Sequence, residues 1–379
     1  MRGGAAASPA RRGIIGGMRI RHVVRPPSCE PGAPDPRIAT GPPVRWGVVA
    51  TGHIARTVTE QLLQLEDAVL QAVSSRSEGS ARAFADAFGA AAAYADRGDE
   101  PGYLRLARDP DVDVVYVATP HAQHHRVARV LLEAGKHVLL EKAFTVTAAE
   151  ADDLVRAARE RGCFLMEAVW TRFLPVYHAL LDHLERDAIG APRWVQADLG
   201  MAVAFDPDSR LWARAAGGGA LLDLSIYPLT WALAALGLPS DVQAAAEQAE
   251  NGVDALTTLA LRHPSGGHAQ VVTSLVAQAT STATIGGSEG IIRTLAPLPN
   301  PPGFDITRDG AEQRVRIDAS TPRYAYQLRE VNRCLQEGLL ESPTMPLADT
   351  LALMRLLDAA RAQIGVRYPN DDAAFAAPA

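Results

Sequence analysis

The side chains best suited to acid–base chemistry are Lys142, Asp223 and Tyr227. Lys142 follows a short apolar segment, 137–140, where a lysine would hold a substrate oxygen and favour loss of its proton. Asp223 and Tyr227 are four residues apart, so they share one face if their segment, 221–236, is helical. An ammonium beside Tyr227 would lower the pKa of the phenol and let it exchange a proton with a substrate hydroxyl. A structural alternative stays open for all three: a surface lysine, a core aromatic and a charge at a helix amino terminus.

A second group of candidates follows the apolar segment 163–166. Trp170, Arg172 and Phe173 place aromatic rings beside a guanidinium, which would suit a pocket for a polyol substrate. The alternative is that Trp170 and Phe173 pack between two domains.

The turn at residues 50–55 has the form of a dinucleotide-binding fingerprint. It follows a strand-like segment, opens a helical pattern, and has the small residues Ala50, Gly52 and Ala55 at its three glycine positions. Gly52 would let the backbone approach a pyrophosphate placed at the helix amino terminus. The alternative is a tight turn that binds nothing.

The end of the second strand-like segment bears on the choice of cofactor. An NAD site usually has a carboxylate about 20 residues after the glycines. Here Ser75 and Arg76 stand at that place, and a guanidinium matches the geometry of a 2′-phosphate. We therefore expect NADP. The alternative is that Arg76 only stacks on the adenine and the site accepts both nucleotides.

Histidines cluster at His121, His124 and His125, directly after Thr119 and Pro120. No matching Cys, Asp or Glu pattern accompanies them, so contact with substrate or cofactor, or helix capping, fits better than zinc, and we predict no metal site. The residues that we assign to cofactor contact are Thr51, Gly52, His53, Ile54, Ser75, Arg76, Thr119, Pro120, His124 and Glu141.

Strand-like and helix-like segments alternate from residue 45 to residue 166, which predicts a parallel, doubly wound sheet. The strand-like segments are 46–50, 69–74, 112–118, 137–140 and 163–166. The helix that ends at Arg161 begins at a capping box formed by Thr147 and Glu150.

Length and composition indicate a globular protein of two domains. The chain has 379 residues, 47% of them hydrophobic and 21% charged, which excludes wholesale disorder, collagen and coiled coil. A net charge of −6 gives no basic footprint for nucleic acid, and we expect no membrane partner because the best apolar run, 229–238, is far too short to span one. Three scattered cysteines suit a reducing compartment, so we expect a cytoplasmic protein.

We predict four regions along the chain. Residues 1–43, rich in Gly, Pro, Ala and Arg, form a disordered extension. Residues 44–166 form a dinucleotide-binding domain, and 167–370 form a second domain whose last helices return to the first. Residues 371–379 are a tail.

Four segments, in this order, resemble the Gfo/Idh/MocA (glucose–fructose oxidoreductase/inositol dehydrogenase) family: 46–55, 117–124, 134–142 and 217–227. Residues 164–173 and the Asp223–Tyr227 pair are most similar to its branch of trans-1,2-dihydrobenzene-1,2-diol and NADP-linked D-xylose dehydrogenases. In that branch a tyrosine stands at the place of Tyr227, where much of the family has histidine.

The resemblance implies an α/β fold: a Rossmann-type doubly wound parallel sheet plus a carboxy-terminal α+β domain with an open, largely antiparallel sheet. It implies that Lys142 and Tyr227 are the catalytic pair, with Asp223 in the pocket, and that the open sheet supports a homodimer or higher homo-oligomer. The expected strands of that sheet are 194–201, 255–261, 268–276 and 291–295.

One position departs from the family pattern. Ala143 stands where the family commonly has proline, before which the peptide bond is usually cis. A cis bond before alanine costs about 3 kcal/mol, against roughly 0.5–1 kcal/mol before proline. Lys142 therefore either sits in a differently shaped turn or keeps the cis bond in spite of its cost.

These observations predict an NADP-dependent oxidoreductase whose partner is a small-molecule substrate. It would transfer hydride between nicotinamide and a hydroxyl carbon of a cyclic polyol or sugar, such as a pyranose or a trans-dihydrodiol, with Tyr227 as acid/base and Lys142 assisting. The alternative is a non-catalytic NADP(H)-binding sensor on the same fold. A transferase or hydrolase that uses bound NAD is a weaker third reading.

Overall fold

Strands and helices alternate from Val44 to Glu167 in the computed structural model, which describes residues 23–317 and 322–372. The strands are β1 (Val44–Val49), β2 (Ala68–Ser75), β3 (Ala92–Ala95), β4 (Val114–Val117), β5 (His137–Leu140) and β6 (Leu165–Glu167). Every neighbouring pair is parallel, in the order β3-β2-β1-β4-β5-β6. The predicted doubly wound sheet is confirmed. Its strand order reverses between β1 and β4, and ligands bind at the carboxyl ends of the strands beside such a reversal.

Five helices connect these strands, and their ends follow local sequence signals. They are α1 (His53–Leu62), α2 (Glu78–Phe88), α3 (Gly102–Ala107), α4 (His121–Glu133) and α5 (Ala148–Arg161). At α5, the Thr147 hydroxyl accepts from the Glu150 amide at 3.1 Å, and the Glu150 carboxylate accepts from the Thr147 amide at 3.3 Å. This is the predicted capping box. Gly162 ends α5 at a φ of 63°, a conformation that glycine adopts without steric cost.

The second part of the chain is a mixed sheet with helices on one face. Its strands are β7 (Pro192–Gly200), β8 (Asp241–Gln248), β9 (Asp254–Arg262), β10 (His268–Ser274), β11 (Ala283–Gly287), β12 (Gly290–Thr294), β13 (Gly303–Arg308) and β14 (Ala311–Arg316). Their order is β14-β13-β12-β11-β7-β10-β9-β8, and only the β7–β10 pair is parallel. The expectation of an open, largely antiparallel sheet is confirmed.

The mostly helical segment 221–236 forms two helices, α7 (Ala220–Leu224) and α8 (Ile226–Leu236), after α6 (Pro175–Glu185). Pro228 lies in the first turn of α8, where its missing N–H interrupts the hydrogen-bond ladder from α7. By length and composition alone, Arg214–Leu236 would suffice to cross a membrane. The apolar run 229–238, on which the sequence-based expectation rested, is shorter and did not indicate this. However, 89% of the most apolar window of Arg214–Leu236 is buried inside the protein, as in a core helix.

The expectation that disorder extends to residue 43 is wrong for residues 23–43, which pack on both halves of the chain. Cys29 is buried and its thiol donates to the Phe173 carbonyl at 2.9 Å. Pro36 accepts a hydrogen bond of 2.7 Å from Arg329 of α9 (Ala325–Gln336). Residues 1–22 and 373–379 lie outside the described residues.

The last two helices return to the first sheet. Trp46 of β1 donates to Asn332 of α9 at 3.0 Å. The Ala148 amide at the start of α5 donates to Asp358 of α10 (Leu347–Ile364) at 2.8 Å. The two sheets are thus joined by the chain's carboxy-terminal helices as well as by the connection after β6.

Candidate active site

Lys142 and Asp223, 81 residues apart in sequence, form a buried ion pair. Lys142 follows the end of β5, and its ammonium donates to the Asp223 main-chain carbonyl at 2.7 Å and to the carboxylate at 3.2 Å. The Lys142–Ala143 peptide bond is cis. Within the described part of the chain, these two contacts leave the third N–H donor of Lys142 without a protein partner. That donor is the one that a substrate oxygen would meet.

Asp223 lies beside two positive groups and a histidine. Besides Lys142, the Arg210 guanidinium lies 3.0 Å from its carboxylate, and the His121 ring nitrogen lies 3.8 Å away. Burial acts to raise the pKa of Asp223, but the charges of Lys142 and Arg210 outweigh it and hold that pKa well below the usual range. Asp223 is therefore an anion that fixes the Lys142 ammonium in place.

Tyr227 lies beside this pair at the start of α8. The Lys142 ammonium lies 5.1 Å from the centre of the Tyr227 ring. The Tyr227 hydroxyl accepts a hydrogen bond of 3.1 Å from the indole N–H of Trp170. The sequence led us to expect a lowered pKa for Tyr227, and that expectation is wrong: burial raises the pKa more than the Lys142 charge lowers it.

Two histidines hold the turns that carry these groups. The nitrogens of His121 lie 2.9 Å from the Gly217 carbonyl and 3.2 Å from the Lys142 carbonyl. Those of His124 lie 2.8 Å from the Thr119 carbonyl and 2.9 Å from the Ala143 carbonyl. Burial lowers the pKa of His124 to about 3, so its ring is neutral at pH 7. Both rings thus face main-chain carbonyl oxygens, and their role here is positional.

Glu141 is buried against β4 rather than exposed to the cleft. Its carboxylate accepts a hydrogen bond of 2.5 Å from Tyr116 and one of 3.1 Å from the Lys142 amide. Burial raises the pKa of Glu141. These contacts hold the turn after β5, so the structure places Glu141 behind Lys142.

The predicted nucleotide end lies at the amino terminus of α1. Gly52 precedes the helix, no side chain caps its first turn, and a β-carbon added at Gly52 would meet no atom within 4 Å. The Thr51 and Ser75 hydroxyls lie 3.3 Å apart, which joins the β1 turn to the end of β2. Arg76 is exposed just beyond Ser75, and no described residue pairs with its guanidinium. Main-chain donors in open space, next to two hydroxyls and a free guanidinium, fit a phosphorylated dinucleotide.

The remaining residues assigned to the cofactor flank this opening. His53 is exposed as the first residue of α1, whereas Ile54 is half-buried against the core. Pro120 precedes α4. The Thr119 hydroxyl is buried without a hydrogen-bond partner among the described residues. An orphaned buried hydroxyl at the carboxyl end of β4 is a further feature that a bound nicotinamide nucleotide would satisfy.

Of the three residues predicted to contact substrate, only Trp170 reaches the Tyr227 hydroxyl. All three lie in a short 3-10 turn, Trp170–Phe173, which turns successive side chains in different directions. Arg172 is buried and pairs with Asp349 at 2.9 Å. Phe173 is fully buried in the core. The assignment of Arg172 and Phe173 to the substrate pocket is therefore corrected: both support the turn that carries Trp170.

Several residues at this site were not identified from the sequence. Arg210 lies in an irregular segment between β7 and α7 that carries no recognisable pattern. Tyr324 precedes α9, and its ring lies 5.1 Å from that of Trp170. Tyr116 did carry a signal, since it is a hydroxyl-bearing residue in an otherwise aliphatic buried strand.

Comparison with family models accounts for most of the described residues. Residues 44–169 match the model described as "Oxidoreductase family, NAD-binding Rossmann fold". Residues 177–293 match the model described as "GFO/IDH/MocA C-terminal domain". Trans-1,2-dihydrobenzene-1,2-diol dehydrogenase from Bos taurus is 35% identical over 341 residues, which cover 86% of this chain and 99% of the bovine protein.

Solved structures share the fold. A 3-ketoreductase from Actinomadura kijaniata, in complex with NADP and TDP-benzene, superposes with a TM-score of 0.76 at 27% identity, covering 85% of this chain and 98% of that one. A levoglucosan dehydrogenase in complex with NADH and levoglucosan has a TM-score of 0.76 at 20% identity, covering 85% of this chain and 97% of its own. The second likeness concerns the fold alone.

Proposed function

This chain belongs to the Gfo/Idh/MocA family of oxidoreductases, and on that basis we propose that it is an NADP-dependent dehydrogenase of cyclic polyols or sugars. Its reaction is hydride transfer between nicotinamide and a ring carbon that bears a hydroxyl, as in a pyranose or a trans-dihydrodiol. The observation that carries the proposal is the convergence of the Lys142 ammonium on the Tyr227 ring, 5.1 Å away, beside an open nucleotide-binding turn. The relatives named as dihydrodiol dehydrogenases support the same chemistry.

NADP, when bound, supplies the acceptor for the hydride. The residues that would hold it are Thr51, Gly52, Ser75 and Arg76, with Thr119 on the far side of the opening. The preference for NADP over NAD rests on Arg76, because a guanidinium binds a 2′-phosphate with charge-assisted hydrogen bonds. The Actinomadura 3-ketoreductase, solved with NADP, supports this preference.

The protein's own groups handle the proton. Lys142 places its remaining N–H donor on the substrate oxygen and stabilises the negative charge that develops there. The Tyr227 phenolate takes the proton from the substrate hydroxyl in oxidation, and the resulting phenol returns it in reduction. Asp223 keeps Lys142 charged and oriented, and Trp170 orients the phenol oxygen through its indole N–H.

We further propose a homodimer or higher homo-oligomer in the cytoplasm. One face of the second sheet exposes Trp194 of β7 and Ile291 of β12 at 40% and 39% of their surface, which suits contact with another copy. The three cysteines Cys29, Cys163 and Cys334 are buried and unpaired, as suits a reducing compartment.

The test is a nucleotide titration followed by turnover. Purified protein is titrated with NADPH and NADH by fluorescence, then mixed with NADP⁺ and a panel of sugars and dihydrodiols at alkaline pH. The proposal predicts tighter binding of NADPH than of NADH and turnover of at least one panel member. Equal binding of the two nucleotides contradicts the NADP preference. Tight NADPH binding without turnover of any member would favour the sensor hypothesis.

A further inference from the structure

An arginine that the mechanism does not use lies on the aromatic wall of the site. The rings of Trp170 and Tyr324 pack 5.1 Å apart, and the Arg323 guanidinium carbon lies 5.3 Å and 5.1 Å from their respective centres. Trp170 in turn donates to the Tyr227 hydroxyl. The indole of Trp170 therefore contacts both the Arg323 guanidinium and the Tyr227 hydroxyl, which is proposed to exchange a proton with the substrate.

Arg323 differs from the other cations of the site in having no acidic partner among the described residues. Lys142 and Arg210 both pair with Asp223, at 3.2 Å and 3.0 Å. Arg323 is exposed, and among residues 23–317 and 322–372 no carboxylate lies within ion-pair distance of it. The rings of Trp170 and Tyr324 hold its guanidinium in place by cation–π contact. The N–H donors lie at the edge of the guanidinium and are not used by these two contacts.

Counted over the described residues alone, the charges around Tyr227 are unbalanced. Lys142, Arg210 and Arg323 are positive, and Asp223 is negative. Glu141 is the other carboxylate nearby, and even when it is ionised the group keeps one excess positive charge. His121 does not change the count, because burial lowers its pKa from the ordinary histidine value.

The phosphates of the nucleotide are assigned to residues other than Arg323. The pyrophosphate is assigned to the turn at Gly52, and the 2′-phosphate to Arg76 at the end of β2. Arg323 instead contacts Trp170, at the end of the cleft where Lys142 and Tyr227 lie. An anion bound by Arg323 therefore belongs to the molecule that is oxidised or reduced.

We propose that Arg323 is a specificity-determining residue that binds a carboxylate or phosphate on the substrate, so that the preferred substrates are anionic sugars such as sugar acids or sugar phosphates. A planar guanidinium offers paired donors that match either anion. The ring hydroxyl would meet Lys142 and Tyr227 while the anionic substituent meets Arg323. The inference rests on the proposed function and narrows its substrate class.

The test compares substrates that share one ring. The full chain is assayed with NADP⁺ and D-glucose, D-glucuronate or D-glucose 6-phosphate, and kcat/KM is measured for each. We expect kcat/KM for at least one of the two anions to exceed that for glucose about 10-fold or more. If only glucuronate is preferred, the group that Arg323 binds is a carboxylate. If only glucose 6-phosphate is preferred, the group is a phosphate, and if both are preferred, Arg323 accepts either anion.

The variant Arg323→Gln should lower the ratio of kcat/KM for the preferred anion to that for glucose by about 10- to 100-fold, mainly through KM. Arg323→Lys should recover part of the ratio, because it keeps the charge but not the fork of donors. The control is Arg314→Gln. Arg314 lies on β14 and pairs with Asp305 on the neighbouring strand β13, so this variant should leave the ratio unchanged. A wild-type enzyme that uses glucose as well as either anion, or an unchanged ratio in Arg323→Gln, overturns the proposal.

A binding measurement separates this proposal from the proposed function. Calorimetry of the NADP⁺-loaded protein with D-glucuronate and with D-glucose 6-phosphate needs no turnover. Binding of either that is lost in Arg323→Gln supports the anion site even if no panel member is oxidised. Absence of binding by both overturns it, whereas failure to bind NADPH would overturn the proposed function itself.

Discussion

At the nucleotide end of the site, Gly52 and Arg76 present open backbone and an exposed guanidinium, whereas at the reaction end Lys142 and Asp223 are buried against each other. The first arrangement comes from the ends of β1 and β2, whose carboxyl ends are adjacent in a parallel sheet. The second needs four segments, since Lys142, Trp170, Arg210 and Asp223 come from different parts of the chain. Substitutions at the nucleotide end should therefore change binding with little effect on folding, and substitutions at the reaction end should change the rate.

The largest effect is expected from Lys142→Met. Loss of the ammonium removes the positive charge beside the substrate oxygen, and we expect kcat to fall about 1,000-fold while NADPH affinity changes little. Steady-state kinetics and a fluorescence titration measure the two quantities. Lys142→Arg retains the charge beside Asp223, so it should unfold at the wild-type temperature yet remain slow. A Lys142→Met enzyme within 10-fold of wild type would exclude a catalytic role for this residue.

The pH dependence of the same variant sharpens the comparison. The pKa of Tyr227 is raised above its ordinary value, so the phenol is protonated at neutral pH and oxidation should accelerate as pH rises. The Lys142 charge acts to lower that pKa. Its removal should move the rise in rate to higher pH. A profile of kcat against pH that is the same in both enzymes would show that Tyr227 is not the group that titrates.

Gly52→Ala is expected to have the next largest effect. An added β-carbon meets no protein atom, and the backbone φ of −71° suits alanine, so the melting temperature should change little. The β-carbon would, however, occupy the place of the pyrophosphate. We expect weaker binding of NADPH and NADH by the same factor, about 10-fold or more, because both nucleotides carry that group. Unchanged affinity for both would mean that the pyrophosphate does not approach Gly52.

Arg76→Gln should have the smallest and most selective effect. It removes charge-assisted hydrogen bonds to the 2′-phosphate, which should weaken NADPH binding about 10-fold and leave NADH binding unaltered. Arg82→Gln is the matched control, because Arg82 is exposed on α2 and pairs with Glu78. Equal losses for the two nucleotides would point to stacking on the adenine instead.

The nucleotide end of the site and the reaction end also differ in how much could be predicted from the sequence. The turn at 50–55, the capping box at Thr147 and five of the six strands of the first sheet follow from local sequence patterns, and the structure confirms the predicted sheet and capping box. The short strand β3 and the order of the strands were not predicted. In the second sheet, β8 has the composition of a helix, with three successive alanines, and five of the six side chains of β14 are exposed. The alanines hide the alternation of exposed and less exposed side chains that β8 has, and β14 has no such alternation.

The errors at the reaction end have physical causes. Arg172 and Phe173 follow Trp170 closely in sequence, but the 3-10 turn directs them into the protein. Arg210 contacts Asp223 from an irregular segment. Such a segment has no helical or strand periodicity from which the direction of the side chain could be predicted. The pKa of Tyr227 was expected to fall because the charge of Lys142 could be inferred from the sequence, whereas the degree of burial could not.

The most direct test of the central claim, that Tyr227 carries the proton, is single-turnover hydride transfer in Tyr227→Phe. Phenylalanine keeps the ring that packs on Trp170 at 6.0 Å and removes only the hydroxyl. We predict an NADPH affinity within about 2-fold of wild type and hydride transfer at least 100-fold slower, as is typical when a general acid–base group is lost. Tyr94→Phe, which removes a hydroxyl bonded to Asp109 away from the site, should behave as wild type. Hydride transfer within a few-fold of wild type in Tyr227→Phe would contradict the account and leave Tyr227 as a packing residue.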